Sequence, residues 1–131
     1  ENFDPFPLSA TQARAIALDR HKDTYYLALH EDKPVGISML RGFDKGYEIP
    51  SFGIFVDHEY HGLGIGRQLT VWTIEQARVR SCPAVRLTVY ADNRPARSLY
   101  ESLGFAEQER QLIERPGRVR EKIVMYLDLA S

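Results

Sequence analysis

The 131-residue chain lacks the features that mark several specialised protein classes. Its one cysteine, Cys82, cannot form a disulfide within the chain, which fits a reducing, cytoplasmic setting. No apolar run approaches the roughly 20 residues of a membrane-spanning helix, and no signal peptide is visible. The formal net charge of -1 gives no strong field to attract nucleic acid or an anionic membrane. We therefore expect neither a nucleic-acid partner nor a membrane partner.

What is present is the composition of an ordinary globular domain. Hydrophobic residues make up 44% of the chain and charged residues 27%, and a chain of this length can bury a core without disulfides. There is no linker, internal repeat or low-complexity tract. We expect one domain over residues 1–131, in which residues 1–8 form a lead-in segment.

The first regular element is predicted to be a helix over Ser9–Lys22. Ser9 and Gln12 form a capping box, and Ala13 and Ile16 follow at helical spacing.

Six strands and two more helices follow from periodicity, caps and turn signals. The strands are predicted at Tyr25–His30, Val35–Leu40, Tyr47–Val56, Ala84–Tyr90, Phe105–Ile113 and Val119–Leu129. The helices are predicted from Gly64 to about Arg80 and from about Asn93 to Leu103. This order predicts an α/β fold with a mostly antiparallel sheet, since it is not a regular alternation of strand and helix. Pro50 lies inside the third strand, where we expect an irregular edge.

Three glycines alternate in the loop between the third strand and the helix after it: Gly62, Gly64 and Gly66. Helix N-termini expose unpaired N–H groups and partial positive charge, and glycines allow phosphate oxygens to approach them. The alternative is a tight turn packed against a neighbouring element. Neither the phosphate-binding pattern that ends in Lys-Ser or Lys-Thr nor the dinucleotide pattern G-x-G-x-x-G fits this spacing.

What the loop resembles is the pattern [RQ]-x-x-G-x-[GA] of the GNAT family of N-acetyltransferases. The matching stretch is His61-Gly62-Leu63-Gly64-Ile65-Gly66, preceded by the strand residues Ser51-Phe52-Gly53-Ile54-Phe55-Val56. One position departs from the pattern, because His61 stands where the family usually has Arg or Gln. A histidine can still donate a hydrogen bond to a phosphate.

A second stretch resembles the family's other signature, N-x-x-A-x-x-L-Y-x-x-x-G-F. It runs from Asn93 through Ala96, Leu99 and Tyr100 to Gly104-Phe105. Two separate motifs in the right order make the resemblance specific, and with the strand order it covers roughly residues 25–129. It implies a GNAT-like mixed, mostly antiparallel sheet with helices on both faces, and acetyl-CoA as the acyl donor.

The resemblance also implies roles for individual residues. The loop residues His61, Gly62, Leu63, Gly64, Ile65, Gly66 and Arg67 would bind the acetyl-CoA pyrophosphate, mainly through backbone amides. The strand segment Ile54, Phe55, Val56 would carry the pantetheine arm, with Val56 N–H as oxyanion donor. Asn93 would contact the CoA arm, and Tyr100 would protonate the leaving thiolate. On periodicity alone, Tyr100 would instead be a core tyrosine on an apolar stripe.

The general base is harder to assign. Some family members have a Glu where this chain has Thr88. Glu48 is our candidate, with Asp57 and Tyr90 behind it; the alternative for Glu48 is a solvated strand charge. His58 and His61 lack a third ligand in the sequence, so we expect no metal site.

The acceptor is expected to be an amine: a small molecule, an amino sugar or a protein amine. Residues 42–47 and the last hairpin should line its side of the site. That hairpin carries a basic patch, Arg115, Arg118, Arg120 and Lys122, which is either a solvated face or a surface for an anionic acceptor. A homodimer is compatible with the sequence.

Two further expectations complete the analysis. The family normally opens with a strand and a helix ahead of the helix predicted at Ser9–Lys22. The chain has no room for either before that helix, which would leave Tyr25–His30 as an exposed sheet edge. The main interpretation is an N-acetyltransferase, in which the acceptor amine attacks acetyl-CoA directly in a ternary complex. The alternative is a module that binds acyl-CoA without turnover.

Overall fold

A computed structural model describes residues 23–60, 62 and 64–129, together with the backbone of residues 11–17. These residues form seven strands and two α-helices. In chain order they are β1 Thr11–Ala17, β2 Thr24–His30, β3 Lys33–Arg41, β4 Ser51–Val56, α1 Ile65–Val79, β5 Ala84–Tyr90, α2 Arg94–Ser102, β6 Ala106–Arg115 and β7 Arg118–Asp128. The lead-in segment predicted at residues 1–8 lies outside the described residues.

The strands form one mixed sheet in the order β1-β2-β3-β4-β5-β7-β6. Five of the neighbouring pairs are antiparallel, and β4 and β5 are parallel. The prediction of a mixed, mostly antiparallel sheet is confirmed. A parallel pair needs a long crossover, and α1 provides it between β4 and β5.

The prediction of a helix over Ser9–Lys22 is wrong for those of its residues that the structure describes. Thr11–Ala17 is a strand, paired residue by residue with β2 from Thr11↔His30 to Ala17↔Thr24. The segment TQARAIA also has the period-two alternation of a strand, and the open edge of β2 supplies hydrogen-bonding partners that a local capping box cannot outweigh. The expectation that an N-terminal strand is absent and the β2 edge exposed is wrong for the same reason.

Within the described residues both helices pack on the same face of the sheet, where the resemblance implied helices on both faces. Ile74 and Ala77 of α1 and Tyr100 of α2 share one buried cluster with Val85, Leu87 and Val89, the alternate residues of β5. Arg67 of α1 also reaches α2, donating to Ser102 Oγ over 3.0 Å. We call this side of the sheet the helix face and the other side the open face.

The third strand begins later than predicted. We expected Tyr47–Val56, but β4 covers Ser51–Val56 only. Pro50 has no N–H to donate to a sheet, so it stands just before the strand, and its carbonyl accepts the Arg86 N–H over 2.9 Å.

The other predicted elements are confirmed, with small shifts at their ends. α1 begins after Gly64 and α2 after Asn93, whose side chain caps Ala96 N over 3.3 Å. β5 has the predicted bounds, and the last hairpin extends to a turn at Pro116-Gly117. Neither described helix is long and apolar enough to cross a membrane.

Candidate active site

The sheet opens between its two parallel strands. β4 and β5 share a single register pair, Ser51↔Arg86, although both strands are described to their ends. From that pair onward the two strands diverge, and the following residues of β4 have no strand beside them on that side. A gap in the middle of a sheet leaves backbone polar groups available to an extended ligand.

Hydrogen bonding on the other side of β4 fixes which residues face this gap. The N–H of Asp57 donates to Val35 O over 2.8 Å, toward β3. Because backbone groups alternate in direction along a strand, those of Phe52, Ile54 and Val56 point toward β5. The sequence resemblance assigned the pantetheine arm to two of these, Ile54 and Val56.

The glycine loop meets the gap from the helix face. Gly62 and Gly64 have φ angles of 83° and 81°, in the left-handed region that side chains disfavour. A Cβ added at either glycine would meet no described atom within 4 Å. The glycines therefore do not mark a turn packed against a neighbour, which was the alternative to an anion site. They bend the chain beside open space.

Gly64 is also the N-cap of α1, and it brings no capping side chain. The first N–H groups of α1 consequently lack the capping acceptor that Ser or Asp would supply. No acidic residue lies in the first turn of the helix. The positive end of the helix dipole thus opens onto the loop, as an anion site requires.

A cleft of about 530 Å³ lies between this loop and α2 on the helix face. We call it the helix-side cleft. It is lined by Ile54, Val56, Tyr60, Gly62, Gly64, Gly66, Arg67, Asn93, Pro95, Ala96, Leu99 and Tyr100. The two motifs of the sequence, about 30 residues apart along the chain, therefore meet at one cavity.

Tyr100 lies in the wall of this cleft with only 8% of its surface exposed. Its ring packs edge-on against Phe52 and Phe105, with centroid separations of 6.2 Å and 5.8 Å. Burial raises the pKa of its hydroxyl above the ordinary 10.0. The side chain is thus protonated at neutral pH and able to donate a proton.

Two polar residues frame the cleft between the helices. The Asn93 carboxamide oxygen is used by the α2 cap. Arg67 holds its guanidinium against Ser102 on α2, at the edge of the same cleft.

A second cavity, also about 530 Å³, lies at the split strands on the open face. We call it the open-face cavity. Its lining combines β4 and β5 residues with the loop after β3: Asp23, Met39, Arg41, Gly42, Asp44, Lys45, Tyr47, Ser51, Phe52, Gly53, Arg86, Leu87, Thr88 and Lys122. Residues 42–47 and the last hairpin were predicted to border the acceptor, and both contribute to this lining.

Asp23 fixes the loop wall of the open-face cavity. Its carboxylate accepts hydrogen bonds from the N–H groups of Gly42 and Phe43 over 2.9 and 3.0 Å. Desolvation by burial acts to raise the pKa of Asp23, but these hydrogen bonds hold it below its ordinary value. The ionised carboxylate therefore anchors the turn Phe43–Lys45.

Some predicted site residues lie elsewhere. Glu48 is exposed and borders a neighbouring cavity, which shares Ser51 and Arg86 with the open-face cavity. Phe55 points to the open face with 74% of its surface exposed, so its side chain does not line the helix-side cleft. His61 and Leu63 lie outside the described residues.

The structure also places residues at the site that the sequence gave no reason to choose. Tyr60 lines the helix-side cleft and Arg41 lines the open-face cavity, and nothing in the sequence marks either residue. Leu99 and Asp44 line the same two cavities, but they belong to the second motif and to residues 42–47, which the sequence analysis had singled out. Among the described residues, no group of three His, Cys, Asp or Glu side chains could hold a metal ion.

A mixed sheet split beside a glycine-bordered helix N-terminus, with a cavity on each face, has the architecture of the acetyltransferase class. The chain belongs to the Acetyltransferase (GNAT) family, whose model matches residues 1–105.

Individual relatives agree with this membership. A mycothiol acetyltransferase of Thermomonospora curvata is 54% identical over 50 residues, 38% of this chain and 17% of the relative. An uncharacterized N-acetyltransferase of Methanocaldococcus jannaschii is 32% identical over 97 residues, 70% of this chain and 43% of the relative. The chain thus spans less than half the length of these curated relatives. The crystal structure of a ribosomal-protein-alanine N-acetyltransferase from Brucella melitensis matches with a TM-score of 0.73 and 26% identity, over 82% of this chain and 69% of that one.

Proposed function

We propose that the protein transfers an acetyl group from acetyl-CoA to a primary amine by direct attack in a ternary complex. The observation that carries this proposal is the split between β4 and β5, with the helix-side cleft on one face and the open-face cavity on the other. A donor bound in the cleft and an acceptor bound in the cavity would meet at the split. Holding two reactants in this way removes most of the entropic cost of their encounter.

The donor is bound mainly by backbone groups in this proposal. The loop amides from Gly62 to Arg67, including that of Leu63, bind the pyrophosphate at the N-terminus of α1, and the His61 side chain donates to it as well. Ile54 and Val56 face the gap, so the pantetheine arm can lie along β4 like an added strand. Asn93 contacts the arm from the α2 side. Phe55 lies between Ile54 and Val56 in β4, but its side chain is on the open face and its backbone groups point toward β3, so it positions its two neighbours for the arm.

The chemistry needs an oxyanion donor, an acid and a base. The amine nitrogen attacks the thioester carbon, and the Val56 N–H stabilises the oxyanion that forms. The C–S bond then breaks, the thiolate takes the Tyr100 proton, and the tyrosinate is restored by the remaining extra proton of the attacking nitrogen. The buried, protonated state of Tyr100 supports this role.

Glu48 is the proposed base, because an ammonium acceptor must lose a proton before it can attack. Glu48 borders the cavity next to the open-face cavity, and the two cavities share Tyr47, Ser51 and Arg86, which supports a role on the acceptor side. Glu48 is exposed, so a water molecule would relay the proton.

The relatives named above differ in acceptor, one being named for mycothiol and another for a ribosomal-protein alanine. Small amines, amino sugars and protein amines therefore all belong in an acceptor screen.

The first test is calorimetric titration of acetyl-CoA, with CoA, ATP and NADH in parallel. We expect acetyl-CoA and CoA to bind selectively and Gly64→Glu to abolish binding, because it puts a negative charge where the pyrophosphate approaches. Tighter binding of ATP or NADH would contradict the proposal. Binding of acetyl-CoA without turnover on any amine would favour the non-catalytic acyl-CoA module instead.

A further inference from the structure

A small cavity of about 120 Å³ lies at the tip of the β6–β7 hairpin. It is lined by Tyr90, Ile113, Arg115, Arg118 and Arg120. The register pairs Arg115 with Arg118 and Ile113 with Arg120, so all four hairpin side chains project from one face of the sheet. Three of these four are arginines. We call this the hairpin cavity.

Arg120 is held rigidly in the hairpin cavity. Its guanidinium carbon lies 3.6 Å from the centre of the Tyr90 ring, and its Nη2 donates to Asp92 over 2.9 Å. Its Nε is buried and has no hydrogen-bond partner among the described residues. A buried donor without a partner is costly, and the side chain that carries it lines the hairpin cavity, so an acceptor bound in this cavity would be stabilised by Arg120.

Among the described residues, one carboxylate faces the three arginines of this cavity. Arg115 donates to the Glu114 backbone carbonyl, and in the described part of the chain neither Arg115 nor Arg118 has a carboxylate within ion-pair distance. Asp92 is the single carboxylate that pairs with the three arginines. Guanidinium groups arranged around a cavity of this size favour one phosphate or carboxylate, which they bind with paired N–H donors.

The hairpin cavity adjoins the acceptor side of the proposed active site. Tyr90 follows Thr88 on the same face of β5, and Thr88 lines the open-face cavity. At a rise of about 3.3 Å per residue these two positions are roughly 7 Å apart. Lys122, which also lines the open-face cavity, is the register partner of Tyr90, and its ammonium lies 5.8 Å from the Tyr90 ring. Cationic side chains thus continue from one cavity to the other.

The donor does not account for this surface. The helix-side cleft lies on the helix face, whereas the residues of the hairpin cavity share the open face with Thr88 and Lys122.

We propose that the acceptor carries an oxyanion, a phosphate or a carboxylate, which binds in the hairpin cavity while its amine reaches the split between β4 and β5. Arg115, Arg118 and Arg120 are then determinants of acceptor specificity. This inference rests on the proposed N-acetyl transfer and adds to it the class of acceptor.

The experiment compares acceptor amines that differ only in the functional group at the end opposite the amine. Aminoalkyl phosphates and ω-amino carboxylates of increasing chain length are assayed beside amino alcohols of the same lengths. We expect an optimum chain length at which kcat/KM for an anionic acceptor exceeds that for the alcohol by about tenfold or more, since a charged hydrogen bond contributes roughly a factor of ten. Preference for phosphate or for carboxylate identifies the oxyanion.

Arg118→Gln is the test variant, and Arg78→Gln is its control. Arg118 lies in the hairpin turn region and makes no ion pair with the described residues, so its replacement should leave the fold intact. Arg78 is an exposed arginine on α1, paired with Glu75 and outside every cavity described above. We expect Arg118→Gln to reduce the anionic-to-alcohol ratio of kcat/KM roughly tenfold, and Arg78→Gln to leave it unchanged.

A binding measurement separates this inference from the proposed function. Inorganic phosphate, titrated at low ionic strength and followed by arginine Nε–H resonances, should shift the Arg120 signal saturably in the wild type and much less in Arg118→Gln. One outcome is that acetyl-CoA binds while phosphate does not, with a wild-type anionic-to-alcohol ratio of kcat/KM close to one. In that case the oxyanion subsite is wrong, while N-acetyl transfer stands. If acetyl-CoA itself does not bind, the proposed function is wrong.

Discussion

At the residue scale, burial decides what Tyr100 can do. A tyrosine is protonated at neutral pH even in water, and burial extends this range to higher pH because apolar surroundings disfavour the phenolate. Tyr100 combines this burial with a place in the wall of the helix-side cleft. Tyr26 is similarly buried, with its ring 4.9 Å from Trp72, but it does not line the cleft. Tyr26 can therefore serve as a control for Tyr100, since it shares the burial but not the position in the cleft.

Tyr100→Phe should lower kcat roughly 100-fold or more while leaving the Kd of acetyl-CoA nearly unchanged, because the ring packing is kept and only the proton is lost. Steady-state kinetics and calorimetry measure the two quantities. Tyr26→Phe is the control and should retain turnover. Equal losses in both variants would show that packing, and not proton donation, is responsible.

Glu48→Gln should lower kcat/KM roughly 100-fold near neutral pH in steady-state assays of acetyl transfer, because the amide cannot accept a proton. Asp44→Asn is the comparison, because Asp44 is also a carboxylate and lines the open-face cavity. If Asp44→Asn lowers kcat/KM and Glu48→Gln does not, the base has been assigned to the wrong residue.

At the scale of elements, the glycine loop combines a backbone requirement with a binding role. Gly64 has φ 81° and ψ 5°, and Gly46, at the end of the turn Phe43–Lys45, has φ 85° and ψ 8°. A Cβ at either position would meet no described atom within 4 Å. The two glycines thus share one backbone conformation, and only Gly64 borders the helix-side cleft.

Gly64→Ala and Gly46→Ala should each reduce the free energy of unfolding by about 1–2 kcal/mol, the cost of a left-handed residue with a side chain. Only Gly64→Ala should also weaken acetyl-CoA binding, because its methyl group enters the cleft. Urea unfolding and calorimetric titration measure the two effects. A loss of affinity in both variants would mean that backbone strain alone disturbs the site.

α1 is fixed to the sheet by a buried hydroxyl pair. Ser38 of β3 and Thr73 of α1 are fully buried with their oxygens 2.6 Å apart. Thr73 donates to the Leu69 carbonyl over 2.7 Å, so Ser38 is the donor in the pair. The contact ties the crossover helix to the strand next to β4.

Thr73→Val should destabilise the protein by about 1–3 kcal/mol, because it leaves the Ser38 hydroxyl buried without its acceptor. The double variant Ser38→Ala with Thr73→Val should cost less than the sum of the two single changes. Urea unfolding of the wild type, the two single variants and the double variant measures this coupling. Strict additivity would show that the two hydroxyls do not depend on each other.

At the scale of the whole molecule, the buried tyrosines link stability to alkaline pH. Burial raises the pKa of both Tyr26 and Tyr100 above the 10.0 expected in the unfolded chain. Above that value the unfolded state loses its tyrosine protons first and is favoured, so stability falls as the pH rises toward the folded pKa values.

The free energy of unfolding should therefore be insensitive to these groups below pH 10.0 and decrease above it. Tyr100→Phe should flatten part of that decrease. Urea unfolding at a series of pH values measures the slope in both proteins. The same slope in the variant as in the wild type would contradict the burial effect at Tyr100.

The local pattern of the chain was enough to predict several parts of the fold and the site. The helix after Gly64, the cap at Asn93, strand Ala84–Tyr90 and the last hairpin all follow from periodicity and turn chemistry, which act between residues close in sequence. The glycine loop and Tyr100 were singled out differently, through two short motifs that resemble a family's signatures, since periodicity alone would make Tyr100 a core residue.

The rest depended on partners that are distant in the chain. Thr11–Ala17 became a strand because the edge of β2 was available, and Pro50 moved out of β4 because a sheet position requires an N–H that proline lacks. The split at Ser51↔Arg86 likewise arises from a pairing between strands more than 30 residues apart. Sequence alone determined which local elements form and which motifs they carry. Tertiary structure decided how they pair, because strand register and cavity lining are set by neighbours that no local pattern specifies.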